Sequence, residues 1–383
     1  MATDVRLLLK DMVDRGGSDL YVVSDSPPVV RIEGINHPLD GEPLTPTEVE
    51  ALANSLMTER QRAAFEEEME MNLGISSSKL GRFRVNVFRQ RGAVGVVVRQ
   101  IKTQIPTIDS LGLPPILKEI VLTKRGMVLV TGATGSGKST TQAAMIDHRN
   151  ETTPGHIISV EDPIEFMHEH KQCLISQREI GFDTHSYDNA LKNALRQAPD
   201  VILIAEVRDR ETMEAAITFA DTGHLCLATL HSNNANQAIE RIMNFFPIER
   251  HREIFLQLSL NLRAIISQRL VPGLDGKRVA ALEILIDTPY VRDLIKKGEV
   301  DTLKEAMERS TQEGGQTFDQ ALFQLYKDGR ISADQALANA DSANNLRIQI
   351  KNLDLRNADR KAVDDTGGLR IQGLSSDALF RRM

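Results

Sequence analysis

Gly132-Ala133-Thr134-Gly135-Ser136-Gly137-Lys138-Ser139 is the stretch on which the reading of this chain turns. It follows the apolar run Met127-Val128-Leu129-Val130 and leads through Thr140 into the helix-prone segment Thr141-Gln142-Ala143-Ala144-Met145. Strand, glycine loop and helix in that order give a G-x-x-x-x-G-K-[ST] match the context of a phosphate site. The glycines let backbone N–H groups close around phosphate oxygens, and the helix N-terminus adds a partial positive charge there. In such a loop Lys138 neutralises the β- and γ-phosphates, and the Ser139 hydroxyl sits on Mg²⁺. The stretch predicts a nucleoside triphosphate site.

At 383 residues the chain has room for two domains, each with its own core. Its 41% hydrophobic and 26% charged residues are ordinary for a soluble globular protein. A net charge of −7 argues against a protein that grips nucleic acid by its phosphates. No basic stripe with interleaved aromatics appears, and aromatics are only 4% of the chain, so no nucleic-acid partner is expected. The two cysteines, Cys173 and Cys226, cannot supply a disulfide framework or a four-cysteine zinc site. The N-terminus carries Asp4 where a signal peptide wants bases, and no apolar run approaches the roughly 20 residues of a membrane span. The expectation is a cytoplasmic protein with no direct membrane insertion, touching a membrane only through partners.

Along the chain, residues 4–15 read as an amphipathic helix stopped by Gly16-Gly17, followed by short strands at 20–23 and 29–32. Thr45-Pro46-Thr47-Glu48 is a capping box opening a helix to about Met57, and a second helix covers 61–68. The strands 81–88 and 93–99, joined by a turn at Gln90-Arg91-Gly92, form a hairpin. It puts Phe83, Val85 and Val87 on one face with Val94, Val96 and Val98. Arg82, Arg84 and Arg99 then share the other face, which is either a solvated sheet surface or an anion-facing one. Residues 101–115, with prolines at 106, 114 and 115, read as a linker. Beyond the glycine loop, strands at 157–160, 200–206 and 225–229 alternate with helices, the signature of a parallel sheet. Further helices are expected over 234–246, 252–268, 290–297, 301–311, 318–327 and 333–340, and a disordered polar tail from about residue 351.

In a doubly wound sheet, carboxylates at the C-terminal ends of the strands lie beside the phosphate loop. Glu206 occupies that place and has the chemistry to deprotonate an attacking water or hold the Mg²⁺ shell. Glu161, Asp162 and Glu165 end another strand, as a solvated turn or as metal and water contacts. His224 precedes a strand and His231 follows it; pattern alone leaves both as hydrogen-bonded structural histidines. His168, His170, Cys173 and His185 match no strong metal spacing.

Taken together, the glycine loop 132–140, Val160-Glu161-Asp162-Pro163-Ile164-Glu165, the segment Ala198–Asp209 and the segment Thr222–His231 occur in a telling order. They resemble the Walker A, Asp-box, Walker B and His-box motifs of the secretion-superfamily (GspE family) hexameric ATPases. Within it they are most similar to the type IV pilus retraction, or twitching-motility, PilT/PilU branch. The likeness covers about residues 4–350. Thr288-Pro289-Tyr290-Val291-Arg292-Asp293-Leu294-Ile295, Ala340–Arg347 and the polar end of the chain resemble the accessory members of that branch. Ala198 departs from the acid that precedes Pro-Asp in PilT-type sequences.

The resemblance implies an α/β chain: an N-terminal PAS-like α/β domain over 1–100, then a RecA-like P-loop ATPase core over 116–290, with C-terminal helices to 350. It implies a homohexameric ring hydrolysing ATP with Mg²⁺. Gly132, Ala133, Thr134, Gly135, Ser136, Gly137, Lys138, Ser139 and Thr140 would bind phosphate. Glu206 would be general base, Glu165 the Asp-box acid, and Ser139, Glu165 and Glu206 the metal contacts. His224 and His231 would sense nucleotide or line the subunit junction, and Arg82, Arg84 and Arg99 would face the γ-phosphate. The implied partners are a PilT-type retraction ATPase and an inner-membrane pilus platform protein, with the ring peripheral to that membrane. Related readings are a secretion or DNA-uptake ATPase and an ATP-binding regulatory ring subunit.

Overall fold

The computed structural model describes residues 4–365, apart from Glu33, Ser78 and Lys102, with side chains described as far as Arg356. The chain begins with α1 (Val5–Asp14), β1 (Asp19–Val22), β2 (Val29–Ile32), β3 (Ile35–Pro38), α2 (Pro46–Leu56) and α3 (Glu59–Glu68). β4 (Glu70–Ser77), β5 (Gly81–Gln90) and β6 (Ala93–Ile101) complete an antiparallel six-stranded sheet of order β3-β2-β1-β6-β5-β4. Phe83, Val85 and Val87 of β5 and Val94, Val96 and Val98 of β6 are buried with Leu9, Met12, Val49, Leu52 and Phe65 of the helices, as the alternation requires. The expected capping box at Thr45 forms, and Thr58 with Gln61 forms a second at the head of α3.

The second sheet has seven strands in the order β13-β12-β7-β11-β10-β8-β9. Its parallel part is β7 (Gly126–Thr131), β8 (Gly155–Glu161), β9 (Cys173–Glu179), β10 (Val201–Ile204), β11 (Leu225–Leu230) and β12 (Leu262–Pro272); β13 (Arg278–Ile286) runs antiparallel at the edge. One face carries α6 (Tyr187–Ala194), α7 (Arg210–Asp221), α8 (Ala235–Asn244), α9 (His251–Asn261), α10 (Pro289–Lys297) and α11 (Leu303–Arg309). The other carries α4 (Ile116–Val121) and α5 (Lys138–Thr152). Every residue of β7 is buried: Met127 and Leu129 enter one core, Val128 and Val130 the other. Truncating Leu129 to Ala would cost about 2–5 kcal/mol, since a cavity there has helices on one side and sheet on the other. α12 (Phe318–Lys327), α13 (Ala333–Asn339) and α14 (Ala343–Asp365) pack a smaller core against Val271 and Ala281.

Two expectations need correction. Residues 262–268 belong to β12, not to the helix expected over 252–268, because β7 offers Leu262–Ser267 a parallel partner. Ile265-Ile266 is β-branched and suits that pairing. Within the stretch 101–115, read as a linker, Ile108 and Leu113 are buried in the core beneath the second sheet. Residues 351–365, expected as the start of a disordered tail, continue α14; the rest of that expectation, 366–383, lies outside the described residues. No helix of the described residues is long and apolar enough to cross a membrane.

Candidate nucleotide site

Strand order explains how the motifs meet. β11 lies between β7 and β10, so the residue that follows β11, His231, stands between the glycine loop after β7 and Glu206 after β10. β8 lies beyond β10 and delivers Glu161, Asp162 and Glu165 from the far side. These residues, with Thr134, Gly135, Lys138, Ser139 and Thr229, line one cavity of about 240 Å³.

The loop takes its shape from glycines. Gly132, Gly135 and Gly137 have φ of 147°, 78° and 89°, a region that side chains disfavour. At Gly132 a Cβ would fall 2.5 Å from the Gln268 carbonyl oxygen, so the loop lies flat against β12. The Gln268 side chain fastens it there: its Nε2 donates to Ser136 O at 2.8 Å, and its Oε1 accepts from Thr141 Oγ1 at 2.7 Å. Lys138 is buried, and its ammonium donates to Gly132 O at 2.9 Å and Ala133 O at 3.0 Å. Burial lowers its pKa, opposed by the charges of Glu206 and Glu165. A cation parked on loop carbonyls is available to a phosphate that would replace them.

Glu206 has both oxygens engaged. His231 Nε2 lies 3.1 Å from Oε1, and Arg208 Nε donates to Oε2 at 2.8 Å. Arg208 also reaches Asp162 Oδ2 at 3.2 Å, tying the ends of β8 and β10 together. The His231 pKa is lowered, first by burial and next by the Lys138 charge. Glu161 is buried and accepts from Ser159 Oγ at 2.6 Å and Gln177 Nε2 at 3.0 Å; burial raises its pKa. It is fixed by its own strand's neighbours rather than turned outward, whereas Glu165 is exposed on the cavity wall.

Arg82 and Arg84 approach this edge from the first sheet. Arg82 Nη2 lies 3.8 Å from Glu179 Oε2, and Glu179 pairs in register with Glu161. Burial raises the Glu179 pKa, and the charges of Arg84 and then Arg82 pull it back. Arg99 does stand opposite Arg84, but its Nε donates to Asp19 Oδ1 at 2.6 Å. His224 is not brought to the cavity: it precedes β11, at the other end of the sheet, with Nδ1 3.1 Å from Thr222 Oγ1. His170 Nδ1 accepts from Ile175 N at 3.1 Å, Cys173 Sγ donates to Thr153 O at 3.0 Å, and among the described residues no three metal-ligating side chains converge.

Sequence reasoning missed Arg208, Glu179 and Gln268. Arg208 follows Glu206 by two and had a signal in that spacing; Gln268 and Glu179 had none, because their roles come from strands paired across the sheet.

The chain matches the family model described as type II/IV secretion system protein over residues 9–363. It is 54% identical over 376 residues to the type IV pilus ATPase PilU of Pseudomonas aeruginosa, covering 98% of each chain. It is 41% identical to the type IV pilus retraction ATPase PilT of the same organism, over 90% of this chain and all of that one. The crystal structure of the pilus retraction motor PilT with bound ADP superposes with a TM-score of 0.83 at 41% identity, over 89% of this chain and 98% of that one. A Legionella pneumophila ATPase, DotB, follows at a TM-score of 0.72 and 28% identity, over 88% of this chain and 95% of that one.

Proposed function

The chain belongs to the type II/IV secretion system protein family, in its PilT/PilU type IV pilus ATPase branch, and from that membership we propose that it is an ATP-hydrolysing ring motor for pilus retraction. The observation that carries the reading is the convergence of Lys138, Ser139, Glu165, Glu206 and His231 on one cavity at the C-terminal ends of the parallel strands.

ATP would lay its phosphates in the loop 132–140, drawing the Lys138 ammonium off Gly132 O and Ala133 O. The donor set suits Mg²⁺: a Ser139 hydroxyl and the Glu165 and Glu206 carboxylates, all oxygens, with no closed protein cage among the described residues. Bound there, the ion would neutralise charge on the β- and γ-phosphates. Glu206 would take the proton from the attacking water, with His231 and Arg208 fixing which oxygen faces it. Arg82 and Arg84, which stand beside Glu179 on the edge strand of the second sheet, would stabilise the γ-phosphate as the first sheet closes on the second. Arg99 would keep to Asp19, and His224 would meet a nucleotide only across a subunit junction.

Closure and release passing around a homohexamer would deliver work to an inner-membrane platform protein on its cytoplasmic face. We assign the chain the accessory role beside a PilT-type ATPase, on its 54% identity to PilU against 41% to PilT. The test is genetic. Cells carrying Lys138→Ala should lose retraction-dependent twitching under load and keep protein secretion; loss of secretion with intact twitching would overturn the assignment.

A further inference from the structure

Behind the glycine loop lies a buried carboxylate that the proposed chemistry does not use. Glu283, on β13, is only 2% exposed. Its Oε1 accepts from the backbone N–H of Ala235 at 2.8 Å, in the first turn of α8, where the helix dipole favours a negative charge. Its strand neighbour Ser267 hydrogen-bonds it, and Ser267 Oγ in turn accepts from Thr131 Oγ1 at 3.1 Å. Thr131 immediately precedes Gly132, and Ala235 follows His231 by four residues. Glu283 thus holds the root of one loop directly, at Ala235, and reaches the root of the other through Ser267 and the Thr131 hydroxyl. Those loops face each other: Gly132 and Ala133 share a hollow of about 310 Å³ with His231, Ser232 and Asn233.

We propose that Glu283 is a positioning residue that holds the His231 loop in register with the glycine loop, and so sets His231 against Glu206. This deepens the ATPase reading and rests on it. A carboxylate that grips the Ala235 N–H and, through Ser267, the Thr131 hydroxyl couples the spacing of the two loops, and spacing errors of an ångström at a reacting centre are costly. Besides those partners, Arg269 of β12 and Asp341, between α13 and α14, face Glu283. Burial pushes its pKa up to about 7; Asp341 adds to the rise, while the Ala235 N–H, Ser267 and Arg269 oppose it. The grip on Ala235 is therefore charge-assisted only above neutrality. Because the folded chain binds this proton more tightly than the unfolded one, ionisation weakens the fold as pH rises through 7. The group costs stability where it is proposed to work.

The experiment compares full-length wild type with Glu283→Gln, which keeps volume and loses charge. Phosphate release, binding of a fluorescent ATP analogue, melting temperature and amide hydrogen exchange over 231–237 are read from pH 6 to 8. At pH 8 the variant should turn over about tenfold more slowly, bind nucleotide within about twofold of wild type, melt no lower and exchange faster at 231–237. At pH 6, where wild type is largely neutral at Glu283, the two should converge. Equal turnover and exchange at every pH would overturn the proposal. Parallel loss of turnover, binding and melting temperature would overturn it in favour of a merely structural carboxylate, unless Ser267→Ala, which cuts the Thr131 link, melts normally and still slows turnover. If wild type itself releases no phosphate, the ATPase reading fails separately, and the exchange at 231–237 decides the positioning claim alone.

Discussion

His231 Nε2 stands 3.1 Å from Glu206 Oε1, in a chain that holds its histidine pKa below the ordinary value. Neutral His231 donates an N–H to the carboxylate; charged His231 would form an ion pair with it and weaken it as a base. Turnover should therefore fall as pH drops, on a limb lying below 6.5, the unperturbed histidine value. His231→Gln, which keeps a donor that does not titrate, should flatten that limb in a kcat–pH profile. An unchanged limb would assign it to another group.

His168 carries a stability prediction. Its burial lowers its pKa from 6.5 to about 4, so the unfolded chain takes up a proton in that window before the folded chain does. Stability contributed by His168 is full above 6.5 and is lost as pH falls toward 4, on the order of 3 kcal/mol in all. The raised acids Glu161 and Glu179 work in the opposite sense, so the difference between wild type and His168→Phe isolates the histidine. Urea unfolding should show wild type losing ground to the variant from pH 6.5 downward; parallel curves would contradict this.

The arginines should separate by partner. Arg82→Ala and Arg84→Ala, at the Glu179 edge, should each lower kcat by about a hundredfold or more with modest change in nucleotide affinity. Arg99→Ala, which strips the buried Asp19 carboxylate of its charged partner, should cost about 1–3 kcal/mol of stability and leave kcat near wild type. Steady-state kinetics of the three variants would show the reverse order if Arg99 were the phosphate ligand.

Gln268→Ala would leave Ser136 O and the buried Thr141 hydroxyl without their amide partner. The expected cost is about 1–3 kcal/mol of stability, with weaker nucleotide binding because the loop must then be ordered by the ligand. Calorimetric titration with ADP on wild type and variant measures both parts.

Much of this was legible before the structure. Every residue from Gly126 to Thr131 is buried because helices cover both faces, and a continuous apolar run before a glycine loop says as much. Glu206 could be placed because it directly follows such a run. The strand Leu262–Pro272 was not legible: its apolar spacing suits a helix too, and only pairing with β7, more than 130 residues earlier in the chain, decides it. The same distance hid Gln268, Ser267 and Glu283. Arg99 looked equivalent to Arg84 by alternation, and nothing in the hairpin reveals that Asp19 of β1 captures one and leaves the other. Ala198 adopts φ of 50°, a left-handed turn that Asp or Asn takes more readily, so its departure from the branch pattern has a local cost the alternation could not show.

The most direct test is Mg²⁺-dependent phosphate release per chain, measured across a range of protein concentrations for wild type and Glu206→Gln. Wild-type turnover per chain should rise with concentration to a plateau as neighbours complete the site, while Glu206→Gln binds nucleotide and stays silent throughout. A Glu206→Gln chain that releases phosphate at the wild-type rate would contradict the account.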